Sequence, residues 1–237
     1  MKQPELLAPA GKLKNLQYAI AYGADAVYLS DTRFGLRAGA GNFTVDQIRE
    51  AKEFVHSKGK KIFVTINIYA HNQDLQELPE YLQQLNEIGV DALIVTDPGI
   101  IRLAQQYAPD ISLSLSTQAN TLNAQAALFW YEHGIKRIVL ARETTADDIS
   151  FIHALAPDVE LEAFIHGSIC IAYSGRCFIS NYMTGRDANK GDCTNSCRWN
   201  YQLVEQKRPG EYYPVEEDER GTYFFNSKDL NMLGGLP

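Results

Sequence analysis

A chain of 237 residues with 45% hydrophobic and 22% charged residues has enough apolar material for one large domain, and a single α/β barrel commonly runs to this length. The net charge of −7 and a pI near 5.3 argue against nucleic-acid binding over the whole surface, although Arg176, Arg186, Lys190 and Arg198 form a local basic stretch. No apolar run is long enough to span a bilayer and the opening MKQPELLAPAG lacks the apolar centre of a signal peptide, so the expectation is a cytoplasmic protein with no membrane attachment.

The elements alternate along the chain. PELLAPA reads as a first strand, and helical spacing follows at Leu13, Leu16 and Ile20. GADAVYLS is a second strand. VDQIREAKEFVHSKG is helical, and KKIFVTINIYA is a third strand. The next helix places Leu75, Leu78, Leu82, Leu85 and Ile88 on one stripe, which suits packing on a sheet. VDALIVTD, ISLSLSTQAN, IKRIVLARE and VELEAFIHG supply strands four to seven, with helices expected at GIIRLAQQYAP, NAQAALFWYEHG and TADDISFIHALAP. Gly23, Gly89 and Gly134 each close a helix just before a strand, an internal echo of one βα unit. Strands and helices in strict alternation predict a parallel sheet.

The series fits a TIM-type (β/α) barrel lacking its last strand, read as a single domain over 1–237. An open doubly wound sheet is the alternative, but no G-x-G-x-x-G follows the first strand. An unfinished barrel would expose a strand edge and favour homo- or hetero-oligomers. After the seventh strand the pattern breaks into a Cys-rich region, 168–200, and an insertion, 200–226. RWNYQLVEQ and GTYFFN are expected to pair there as a small antiparallel excursion.

All four cysteines fall in that region, as Cys170, Cys177, Cys193 and Cys197, with spacing C-x6-C-x15-C-x3-C. Four thiolates complete the ligand set of a [4Fe–4S] cluster or of tetrahedral zinc. The absence of paired C-x2-C knuckles favours the cluster over zinc. Buried free thiols are the plain alternative.

Glu162 to Ser180 reads EAFIHGSICIAYSGRCFIS, which resembles the peptidase U32 signature E-x-F-x-x-G-[SA]-aliphatic-C-x4-G-x-C-x-aliphatic-S. PELLAPAGKLKNLQYAIAYGADAVYLS, STQAN and GDCTNSCRWNY also look like blocks of that family. Within it, the chain is most similar to the branch of bacterial tRNA hydroxylation proteins. The resemblance implies an iron–sulfur cluster on the four cysteines and a role in prephenate-dependent 5-hydroxylation of the wobble uridine of tRNA. It also implies that members continue past residue 237 into a C-terminal part that engages RNA. The family's older label, collagenase-like peptidase, implies proteolysis instead. Against that, the sequence has no H-E-x-x-H and no G-x-S-x-G, and its five histidines show no zinc-ligand pairing. A non-catalytic iron–sulfur or RNA-binding scaffold is the third reading.

In a barrel the active site gathers at the C-terminal ends of the strands. Those ends carry Arg33 and Arg37, Asn67 and His71, Asp97, Gln118 and Asn120, Arg142 and Glu143, and His166. Arg37 and Arg142 are candidates for holding the carboxylates of a prephenate-like small molecule, with Asn67 and Gln118 beside them. Glu162, His166 and Glu143 are the candidate catalytic groups. Plainer roles stand beside each. Arg142 and Glu143 can form a loop ion pair, Asn67 and Gln118 can satisfy backbone at the mouth, and Glu162 can pair with Arg137. Asp97-Pro98-Gly99 reads first as a helix N-cap. Tyr173, Phe178, Tyr182 and Trp199 offer stacking faces for RNA bases, while Phe178 and Trp199 read first as packing around the cluster.

Overall fold

The computed structural model describes residues 3–35, 42–204, 206–214 and 229–231. Seven parallel strands lie side by side in chain order: β1 (Leu7–Pro9), β2 (Ala26–Ser30), β3 (Lys61–Ile66), β4 (Ala92–Val95), β5 (Ser112–Leu115), β6 (Arg137–Val139) and β7 (Glu160–Glu162). Each pairs in parallel with the next. A doubly wound sheet would reverse its order at a switch point. Among the described residues this sheet never does; it curls as a (β/α) barrel without a final strand, and β1 and β7 are not paired to each other. Six helices follow the first six strands: α1 (Leu13–Ala21), α2 (Val45–Ser57), α3 (Asp74–Ile88), α4 (Pro98–Tyr107), α5 (Ala124–Glu132) and α6 (Ala146–Leu155).

Local chemistry sets these boundaries. Thr44 and Gln47 form a reciprocal capping box at α2, and Thr145 and Asp148 form one at α6. Asp97 caps α4 by accepting from the amides of Gly99 and Ile100, with Pro98 opening the first turn as expected. Gly89 ends α3 at φ +72, a left-handed turn that a side chain would strain, and the strand begins within three residues.

The central strands β3 and β4 are buried on both faces, as a helix-covered parallel sheet requires, which is why KIFVTI shows no alternation of apolar and polar residues. The outer face and the helices share the large core, in which Leu78, Leu82, Leu85 and Ile88 form the buried stripe of α3. Burying each such leucine contributes roughly 1.5–3 kcal/mol. A smaller inner cluster of Ala26, Phe63, Ala92 and Ile94 fills the inside of the curl, with Leu7 and Tyr28 against it.

Two details differ from the sequence reading. VELEAFIHG is not one strand: β7 stops at Glu162, and His166–Ser168 forms a separate strand, β8. The small antiparallel unit beyond Arg198 exists, but it joins β9 (Gln202–Leu203) to β10 (Tyr213–Pro214). The GTYFFN partner lies outside the described residues. β8 pairs antiparallel with β11 (Asp229–Asn231), so the chain returns to the barrel beyond the insertion. Between these pairs lie the short helix α7 (Ile179–Thr184) and two single 3-10 turns.

Candidate functional site

The C-terminal ends of β3, β4 and β5 are knitted together by Gln118, which is only 8% exposed. Its Oε1 accepts from the Thr96 hydroxyl at 3.2 Å, from Asn67 Nδ2 at 3.3 Å and from the Ser116 hydroxyl. Its Nε2 donates to the Asn67 carbonyl at 3.0 Å. A buried amide held by these bonds is rigid, so three strand ends share one hub. The turn that delivers it is a 3-10 turn, Thr117–Ala119, closed by Asn120 at φ 52. Asparagine tolerates that left-handed conformation better than most residues.

The Cys-rich segment docks on this hub. Asn120 Nδ2 donates to the Ser174 carbonyl at 3.3 Å, and Arg142 Nη1 donates to the Ser174 hydroxyl. Gly175 sits at φ +73, and a Cβ there would lie 3.1 Å from the Gln118 side chain, so glycine is needed twice over. Arg176 Nη1 donates to the Tyr69 hydroxyl at 3.3 Å. Asn189 clasps Cys177 from both sides, accepting from its amide at 3.2 Å and donating to its carbonyl at 2.9 Å. The Asn189 carbonyl in turn accepts from the Tyr69 amide at 3.3 Å. Ser180, Thr194 and Ser196 join α7 to the later cysteines through their hydroxyls.

All four cysteines are free thiols, and Cys170 and Cys193 are exposed. Burial among neighbouring atoms pushes the Cys170 thiol up even though its surface reaches solvent. Arg142 pulls it down, and Cys193, Cys197 and Cys177 push it up again, so all three lie close enough for their charges to reach it. The Asn195 amide donates to Cys193 Sγ at 3.3 Å. Among the described residues no three His, Cys, Asp or Glu side chains stand at metal-holding spacing. The four thiols thus share a neighbourhood without forming a closed shell. As a donor set they fit a soft site, an iron–sulfur cluster or zinc.

The other residues singled out from sequence fall in different places. Arg37 lies outside the described residues. Arg142 leaves β6 with its guanidinium 4.3 Å from the centre of the Phe164 ring, bonded to Ser174 and acting on Cys170. Glu143 is exposed and makes no ion pair with it among the described residues. His166 is exposed on β8, opposite Asn231, and makes no hydrogen bond with Cys170. Glu162 points at Arg137, with Oε2 3.8 Å from the guanidinium but buried without a hydrogen bond. Burial pushes its carboxyl up to about 7, against the pull of Arg137 and with a further push from Glu5. Arg186 is bonded to Asp192, which removes one cation from the basic stretch. Phe178 does not pack inward: it is 77% exposed, and Tyr182 is 88% exposed. Trp199 is also exposed and stacks on Tyr201, so the aromatic shield expected from sequence is absent at these two positions. The short α7 buries only Ser180, too little surface to draw Phe178 in.

Where the segment meets the hub there is a cleft of about 240 Å³. Asn67, Tyr69, Thr96, Gln118 and Arg176 line its polar side. Sequence reading finds Asn67 and Gln118 because they follow strands. It leaves Tyr69 and Asn189 unremarked and places Arg176 only in a basic stretch, because what unites them is docking between segments far apart in the chain.

A model of peptidase family U32 matches residues 11–237. The chain belongs to peptidase family U32. This member is 45% identical, over 236 residues, to a tRNA hydroxylation protein of Bacillus subtilis, covering 100% of this chain and 56% of that protein. It is 44% identical over 203 residues to a 23S rRNA 5-hydroxycytidine synthase of Escherichia coli, covering 86% of this chain and 30% of that one. The U32 chain described here thus spans little more than half the length of its Bacillus relative. A solved U32 peptidase superposes with a TM-score of 0.58 at 15% identity, over 71% of this chain and 72% of the other, a likeness of fold alone.

Proposed function

We propose that this U32 protein takes part in RNA hydroxylation, converting the wobble uridine of a tRNA to its 5-hydroxy form by a prephenate-dependent route. Cys170, Cys177, Cys193 and Cys197 hold a [4Fe–4S] cluster in this reading. The observation that carries it is the docking of the cysteine segment on the C-terminal strand ends, in a chain whose relatives are named for tRNA and rRNA hydroxylation. When bound, the cluster supplies redox chemistry that side chains lack. Arg142 supports the cysteine segment through Ser174 and places a cation beside Cys170. Asn67 and Gln118 form a rigid polar floor, with Arg37 a further candidate for anion binding. Glu143 and His166 stay candidates for proton transfer, both exposed near the mouth. Exposed Tyr173, Phe178 and Tyr182 offer faces on which unstacked loop bases can lie.

The test uses cells that lack this gene and its paralogues, complemented with the full-length protein. Mass spectrometry of digested tRNA is expected to show 5-hydroxyuridine derivatives restored by wild type and not by C170A/C177A. Persistence of the modification in the uncomplemented strain overturns the reading. Anaerobic protein is expected to carry about four irons and four sulfides per chain; zinc in their place would refute the cluster. The peptidase alternative predicts that metal-free protein cleaves collagen peptides.

A further inference from the structure

We propose that the cleft between the barrel mouth and the Cys-rich segment is a binding site for a small carboxylic acid with an apolar body, and that Arg176 is its anchoring cation. The walls divide by chemistry. Ile68, Pro98, Ala119 and Trp130 form the apolar side. Three donors remain on the polar side. Arg176 spends only one N–H bond, on the Tyr69 hydroxyl, and has no carboxylate partner among the described residues. Because Tyr69 accepts that bond, its own proton is left to donate. Gln118 Nε2 uses one of its two protons on Asn67.

Two side-chain acceptors at this place are already used. Gln118 Oε1 takes three donors, and the Asn189 side chain is committed to Cys177. Among the described residues Asp97 is the carboxylate lining the cleft; its Oδ1 is bonded to two amides at the start of α4, whose positive end offsets its charge, and its Oδ2 makes no hydrogen bond there. A site with spare donors, a guanidinium and an apolar wall selects an anion with a hydrocarbon part over a cation or a sugar. Arg142, by contrast, is stacked on Phe164 and does not line the cleft. Arg176 directly precedes Cys177, so a bound acid would lie beside the cysteine segment.

Identifying this acid with the prephenate of the hydroxylation reading rests on that reading; the site itself rests on the cleft. Calorimetric titration of full-length protein with prephenate, and separately with phenylpyruvate, distinguishes the two. Wild type is expected to bind prephenate, and Arg176→Gln to weaken binding at least about tenfold, as loss of a charge-assisted bond does. Tyr69→Phe should weaken it a few-fold, and Arg49→Gln on the outer surface of α2 should change nothing. A thermal melt of Arg176→Gln matching wild type confirms that the fold is intact, as the exposure of Arg176 leads one to expect. Binding of phenylpyruvate alone, lost in Arg176→Gln, supports the cleft and removes prephenate from the reaction. Unchanged binding in Arg176→Gln, or no binding of either acid by wild type, overturns the site.

Discussion

Glu162 concentrates the electrostatic cost of this fold in one side chain. Its carboxyl sits among Arg137, Glu5 and Glu160, and burial lifts it to about 7. The folded state therefore holds a proton that the unfolded chain releases near the ordinary carboxylate value of 4.5. Stability from this group is fully present below that value and is lost as pH rises through about 7. The loss is roughly 1–3 kcal/mol, allowing for partial solvent access. Urea denaturation of full-length Glu162→Gln should show a flatter pH dependence between 5 and 8 and higher stability than wild type at the alkaline end. Identical pH slopes for the two proteins would show that Glu162 ionises freely.

At the scale of elements, the βα turns do two tasks at once. Asp97 both starts α4 and faces the cleft, and its Oδ1 bonds to Gly99 and Ile100 measure 2.7 and 3.1 Å. Asp97→Ala removes the cap and should cost about 1 kcal/mol, read as a lower denaturation midpoint with an unchanged slope. A loss within error of zero would mean that solvent caps α4 equally well. The turn after β5 works in the same way: the backbone that ends the strand also carries Gln118 into the hub and Asn120 onto the Cys-rich segment.

For the whole molecule, the open side of the curl is bridged at the opposite end from the cysteines. Glu5, just before β1, bonds Lys61 at the start of β3 and Arg137 at the start of β6, at 2.6 and 2.8 Å. Arg137 also bonds Glu160 at the start of β7 and lies 5.0 Å from the Phe63 ring. One guanidinium thus ties the first strand to the last two where no strand pairing among the described residues does so. Arg137→Met would leave Glu160 and Glu162 without their cation and Glu5 with Lys61 alone. The expected cost is about 2–4 kcal/mol, below the range for a fully buried pair because Glu160 is largely exposed. A melting temperature within a degree of wild type would show that this end of the barrel holds by packing alone.

The strand and helix order, the α3 stripe, the Asp97 cap and the clustering of four cysteines are all legible in the sequence, because each is written in local spacing or in residue type. The pairing of Glu162 with Arg137 is also readable, since both lie on neighbouring strands of a series whose order follows the chain. Tertiary structure decides the rest. It alone splits β8 from β7, exposes Phe178 and Tyr182, ties Glu5 across the barrel, and brings Tyr69, Gln118 and Arg176 around one cleft. The physical reason is that periodicity reports which face of an element is buried, whereas a docked loop is fixed by single hydrogen bonds between distant residues. Arg176 meeting Tyr69, and Asn189 clasping Cys177, leave no periodic trace in the chain.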